Sequence, residues 1–297
     1  VHSNTAKTHD EETCALVHLS KRAKAPLKRE LQLQLIRRKG LRWHKEPYIM
    51  AIHFVQKSSQ LGFTNRVEEA CAHFLKSNDQ AEVRLMLAWL LYFKSSDAQR
   101  RKAFSAKERR KFLQEGISLL EPLENDVKTL LRLPKMGHIY ARMLKELDDA
   151  KGIIRVVQKW QQAKLGPPFP WGEVYSTLAA ALRRKDLWTK ESSVWLLKAW
   201  QQRREMNKSS RWDVIDKLVV ALTGMKQYEK ALQELDKEKL DNFNRDNHPE
   251  VLLHRVRLLK QLGRKMEARE NWDLGYSLIK ARDTNLALEY NLAKKGL

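Results

Sequence analysis

The chain has 297 residues, with 57 lysines and arginines against 36 aspartates and glutamates, giving a formal charge of +21 and a pI near 9.9. That balance lies far from a typical neutral enzyme and favours a polyanionic partner, while 42% apolar residues supply enough core to exclude wholesale disorder. Two cysteines, Cys14 and Cys71, exclude a disulfide framework or a four-thiolate zinc site within one chain and read as ordinary thiols.

Eleven glycines and eight prolines are few, and windows alternating Val, Ile and Thr are almost absent, so the chain reads as all-α. Residues 1–46 form the first segment, a basic N-terminal arm. Between Lys21 and Lys45 lie ten cations, Lys21, Arg22, Lys24, Lys28, Arg29, Arg37, Arg38, Lys39, Arg42 and Lys45, opposed only by Glu30. So many like charges repel one another unless a polyanion compensates them. A helix or two around Leu31 to Ile36 is expected there, with extended chain on each side. Phosphates would bind the cations, and Trp43 would be available to stack on a base.

Residues 47–136 read as N-terminal helical hairpins, beginning with one around Tyr48 to Leu75. The longest apolar run, Leu85 to Phe93, would rise only about 14 Å as a helix, about half of a ~30 Å hydrocarbon core, so no membrane span is expected. Ser105 and Glu108 have the Ser-x-x-Glu spacing of a capping box. Around them a second basic cluster, Arg100, Arg101, Lys102, Lys107, Arg109, Arg110 and Lys111, is expected to offer further phosphate contacts.

Residues 137–297 form the third segment, with helices predicted over Ile139 to Leu147, Ile153 to Trp160, Trp171 to Leu182, Ile215 to Leu222, Met225 to Leu235, Leu252 to Leu262 and Met266 to Leu278. Such short helices must stack to cover their apolar stripes. Tyr140, Tyr175, Ile215 and Leu252 recur at intervals of 35, 40 and 37 residues, and Ala231 and Ala268 each lie sixteen positions into their units. The longer interval suggests an inserted inter-repeat loop near a third basic group, Arg203, Arg204, Lys208 and Arg211. Most tryptophans fall on helical stripes and read as core.

Catalytic and metal signatures are missing from the sequence: there is no His-Glu-x-x-His, Cys-x-x-Cys or glycine-rich phosphate loop, and the nine histidines are scattered. His44 and His53 look to be on different faces. Asp148 and Asp149 are adjacent and would not face each other on a helix. No enzyme activity, cofactor, metal or small-molecule substrate is expected.

The segments Ile139-Tyr140-Ala141-Arg142-Met143-Leu144 and Val174-Tyr175-Ser176-Thr177-Leu178, together with Gln227-Tyr228-Glu229-Lys230-Ala231-Leu232 and Leu262-Gly263-Arg264-Lys265-Met266-Glu267-Ala268, resemble tetratricopeptide and, more closely, pentatricopeptide repeats. That resemblance implies an α-solenoid of antiparallel helix pairs. Base reading in that family would fall on Ala141 with Trp171, Ser176 with Arg211, and Asp216 with His248, of which Ser176 alone has the family's usual residue type. The expected function is a helical-repeat subunit of an organellar ribonucleoprotein, foremost a mitochondrial ribosomal protein contacting rRNA and neighbouring subunits. The basic charge and the missing start methionine lead to an expected location in the mitochondrial matrix. The alternatives are a protein-interaction adaptor of a large complex and a single-stranded RNA-binding processing or translation factor.

Overall fold

The computed structural model describes residues 2–96, 103–184, 187–240, 249–279 and 283–295; Arg100, Arg101, Lys102 and His248 therefore lie outside the described residues. Among the described residues the chain is helical without strands, apart from one isolated bridge between Arg184 and Leu187. It forms two compact units, Val1–Pro170 and Trp171–Leu297.

The first unit holds α1 (His2–Arg22), α2 (Ala25–Lys39), α3 (Pro47–Leu61), α4 (Thr64–Leu75), α5 (Ala81–Ser96), α6 (Ala106–Leu120), α7 (Val127–Arg132), α8 (Lys135–Glu146) and α9 (Ala150–Gln162). The second holds α10 (Trp171–Ala181), α11 (Lys190–Gln201), α12 (Lys208–Gly224), α13 (Tyr228–Leu240), α14 (Pro249–Gln261), α15 (Lys265–Ser277) and α16 (Thr284–Lys294). No helix of the described residues is long and apolar enough to cross a membrane.

The basic N-terminal segment has the helix expected around Leu31 to Ile36, but the chain before it is helical and not extended. Helices α1 and α2 are separated only by Ala23 and Lys24, and α2 packs against α1 on one side and α4 on another. The reason is the apolar content between the cations. Leu31, Leu33, Leu35 and Ile36 are buried around most of the circumference of α2, which leaves Leu27, Gln34, Arg37 and Arg38 on a narrow exposed stripe. Leu33, Ile36 and Leu41 join Phe54 of α3, Val67 and Phe74 of α4, and Met86 and Leu90 of α5 in one core. Gly40 ends α2 at φ +59°, and the next backbone N–H, of Leu41, donates to Gln80 Oε1 at 2.9 Å. A β-carbon at Gly40 would lie 2.2 Å from that same oxygen, so the tie between α2 and α5 requires glycine.

The helix pairs share one turn. Three-residue links join α8 to α9, α12 to α13 and α14 to α15, and the middle residue of each, Asp148, Lys226 and Gly263, has a left-handed φ of 59°, 58° and 73°. In each link the third residue's N–H reaches five residues back, Asp149 to Leu144, Gln227 to Leu222 and Arg264 to Leu259, at 2.9 Å. This left-handed closure satisfies carbonyls that a helix end would otherwise strand. Five residues beyond the middle position, Ile153, Ala231 and Ala268 are fully buried.

The turns correct the register read from sequence. Tyr140 lies eight residues before its left-handed residue, whereas Ile215 and Leu252 lie eleven before theirs. Leu218 and Arg255 are therefore the counterparts of Tyr140. Met225 and Lys226 also belong to a turn, not to the start of a helix. The interval of 40 residues does not arise from an insertion near Arg203. Its extra residues lie between α10 and α11, where Leu182 to Thr189 replace the usual three, so that Ser192 and Ser193 take the buried places and Glu191 is exposed.

A second recurrence marks the pair boundaries. Gly137 and Tyr140 in α8 have the same spacing as Gly172 and Tyr175 in α10. A β-carbon at Gly137 would meet the Phe169 ring at 2.6 Å, and one at Gly172 would meet the Met206 thioether at 2.5 Å. Phe169 and Met206 each lie two residues before the next helix, so each glycine receives the side chain that closes its own pair.

Candidate nucleic-acid interface

The cations of the first unit come from several elements. Lys21, Arg22, Lys24, Arg37, Arg38, Arg42 and Lys45 are exposed, and Lys28, Arg29 and Lys39 are half-buried. Arg38 pairs with Glu12 of α1 at 2.7 Å, and Arg29 lies over the Phe63 ring at 5.7 Å. Glu30, the lone acid between Lys21 and Lys45, is bound by Arg66 of α4 at 2.5 Å, a hydrogen bond that outweighs desolvation and holds its carboxyl below the usual range. The only negative charge among those ten cations is thus already paired within the fold.

Lys28 of α2 and Lys57 of α3 share a cationic neighbourhood with His44 and His53. Desolvation, then the charges of Lys57, Lys28 and His44, push the His53 imidazole below its ordinary value. His44, read as lying on a different face, thus contributes the smallest of the charges that act on His53. His44 Nδ1 lies 3.1 Å from the Glu46 backbone nitrogen and 3.2 Å from the Glu46 carbonyl oxygen, which fixes the ring beside the turn.

Trp43 is less free than its basic surroundings suggest. Its ring packs against the α2–α5 core and stands edge-on to His44 at 5.6 Å, and its indole N–H is buried without a hydrogen-bond partner among the described residues. One side borders a cavity of about 290 Å³ lined by Thr13, Cys14, Val17, His18 and Lys21. Cys14 is exposed and Cys71 buried, where burial raises its thiol pKa.

The second basic cluster forms the more definite site. Ser105 caps α6 as the spacing predicts: Glu108 N–H donates to Ser105 Oγ at 3.2 Å, and Ser105 N–H donates to Glu108 Oε2 at 2.8 Å. Within this box and directly after it, Lys107, Arg109 and Arg110 line a cleft of about 540 Å³ with Ser95, Ala106, Leu113, Glu146 and Leu147. Arg109 donates to the Phe104 carbonyl at 3.2 Å, and Glu146 lies 3.3 Å from Lys145. Three cations at the positive end of a fifteen-residue helix, with Glu146 alone opposing them in the lining, favour an anion. Serial spacing exposed this cluster; the apposition of Ser95, Glu146 and Leu147 from distant parts of the chain left no sequence signal.

In the second unit, Arg203 lies 5.0 Å over Trp200, and Lys198 4.1 Å over Trp195, so cations there cover tryptophans of the same unit. Trp160, Trp171, Trp200 and Trp272 are buried, as their helical stripes predict. The positions implied for base reading fare differently. Ala141 and Trp171 are buried, and Asp216 is bonded to His254 Nε2 at 2.8 Å, so these side chains are occupied by the fold.

The neighbouring acids have structural tasks. Asp149 caps α9 by accepting the Gly152 N–H at 2.8 Å, and Asp126 caps α7 through the Thr129 N–H at 3.1 Å. Among the described residues no group of three or more His, Cys, Asp or Glu side chains is placed to hold a metal ion. No protein-family model, curated protein or solved structure matches the chain.

Proposed function

We propose that this chain is a non-catalytic helical-repeat scaffold that binds RNA phosphates, serving as a subunit of an organellar ribonucleoprotein, with the mitochondrial ribosome and its rRNA as the setting. The observation that carries the reading is the Lys107, Arg109 and Arg110 cleft at the head of α6, in a unit with 32 lysines and arginines against 18 carboxylates. Fixed cations on packed helices are preorganised for phosphates and read no sequence by themselves. The recurrent left-handed turns support a pentatricopeptide-like solenoid, and the buried or engaged base-reading positions favour backbone binding over base-by-base recognition. Acids beside these cations are spent on caps and ion pairs, which supports a scaffold over a catalyst.

Filter binding of rRNA fragments at rising salt tests the proposal. Affinity is expected to fall steeply, since each neutralised phosphate releases condensed counterion. A flat salt profile would remove the electrostatic anchor.

A further inference from the structure

One groove of the first unit has the opposite electrostatic sign to the α6 cleft. Helices α4 and α6 both pack on α5, and between them Leu87 and Leu91, one turn apart on α5, form an apolar floor. Ala72 of α4 and Leu119 of α6 extend it sideways. Along the rim stand Glu68 and Glu69 on one side and Glu115 on the other, with Lys111 3.8 Å from Glu115. Glu68 is also held by Lys94 of α5. The space is about 680 Å³ and largely open to solvent.

We propose that this groove is the docking site of an amphipathic helix from a partner protein, its apolar stripe flanked by lysine or arginine. An apolar floor between two helices suits the i, i+3, i+4, i+7 anchors of a helix laid in a groove. The rim selects the sign of that helix. On a chain of charge +21 acidic faces are few, and here a cationic helix meets Glu69 and Glu115 beside Lys111, with Glu68 already paired to Lys94, around a surface that gains by being covered. RNA is disfavoured at the same place, because phosphates would face the same carboxylates. The proposal goes beyond the phosphate-binding reading and does not depend on it.

Fluorescence anisotropy with the full chain tests it, using a labelled helical peptide of about 18 residues with leucine at i, i+3, i+4 and i+7 and lysine elsewhere, beside a leucine/glutamate counterpart. Ala72→Trp fills the groove from an exposed position, and Glu69→Lys with Glu115→Lys reverses its rim. Each variant is expected to weaken the leucine/lysine peptide at least tenfold with thermal unfolding as in the parent chain, and Ala72→Trp, which changes no charge, should also leave the salt profile of RNA binding as in the parent chain. Ala72→Trp should leave any adherence of the leucine/glutamate peptide elsewhere unchanged. Absence of leucine/lysine binding, or binding indifferent to Ala72→Trp, overturns the proposal. So does concentration-dependent self-association that Ala72→Trp abolishes, which would make a second copy of this chain the occupant.

Discussion

The Tyr140 hydroxyl donates to the Glu124 carboxylate at 3.0 Å, at a point where three segments of the first unit meet. Glu124 lies just beyond a 3-10 turn after α6, is only 4% exposed, and also receives Lys159 and Arg155 from α9. Its backbone carbonyl accepts the Trp160 indole N–H at 3.0 Å. Burial raises the Glu124 pKa, but hydrogen bonds from Lys159 and Tyr140 and the charge of Arg155 outweigh it and hold the carboxyl below 4.5. Tyr140→Phe is expected to cost about 1 kcal/mol of unfolding free energy in urea, as one lost hydrogen bond does. Because the folded value is the lower one, the carboxylate's contribution is complete above about pH 4.5 and is lost as pH falls through the folded value. The stability gap between the parent chain and Glu124→Gln should therefore close on acidification below that point.

His138 gives a pH dependence that sets in at a higher pH. Burial, then the charges of Arg142 and Lys135, push its imidazole down to about 3 from 6.5. The unfolded chain takes up this proton first, so stability is complete above pH 6.5 and declines as pH falls from there toward 3. Between pH 7.5 and pH 5, His138→Gln should lose less stability than the parent chain by about 1–2 kcal/mol in urea titrations. His53 is lowered in the same direction and keeps part of the slope in the variant.

The two pair-closing contacts should respond unequally to a methyl group. In Gly137→Ala the new carbon meets Phe169, whose ring is buried and edge-on to Trp160 at 5.2 Å, so the cost should be about 1–3 kcal/mol of overpacking. In Gly172→Ala it meets Met206, whose unbranched side chain can yield, and the helix gains about 1 kcal/mol of propensity. That variant should lie within about 1 kcal/mol of the parent chain in thermal or urea unfolding.

Ser105→Ala breaks the capping box of α6 and should cost about 1 kcal/mol in the same measurement.

Charge removal in the cleft should be read by salt dependence. Lys107→Gln with Arg110→Gln is expected to lower the slope of log affinity against log salt by about 0.7 per lost single-strand phosphate contact. Arg37→Gln with Arg42→Gln tests the α2 side separately, since those exposed residues lie on other elements. Unchanged slopes in both would assign the phosphate contacts to other cations.

Periodicity made the helices legible, because one apolar stripe per helix is a local property. The Ser105–Glu108 box was legible for the same reason, with both partners within one turn. The register of the pairs was not, because left-handed φ falls on Asp148 and Lys226, residue types that do not announce it as Gly263 does. Charge alone reads the chain on either side of Leu31 to Ile36 as extended, whereas the helix expected there runs from Ala25 to Lys39 and is preceded by a second one, α1. Helix α16 went unseen: its buried Tyr290 sits over Gly275, a contact visible only once both helices are placed. The cleft and the groove of the first unit each join side chains from three helices or more, and no spacing along the chain encodes that.

The placement of α2 binds solubility, stability and charge into one stretch of sequence. Leu33 and Ile36 belong to the interior that Arg37 and Arg38 cover, so removing residues 1–45 would strip a wall from α3, α4 and α5 as well as delete positive charge. Truncation would report on folding and electrostatics together, and only substitutions confined to the outward stripe can separate them. The same fusion limits drift: an ancestor could trade these arginines one at a time, but could not discard the segment that displays them.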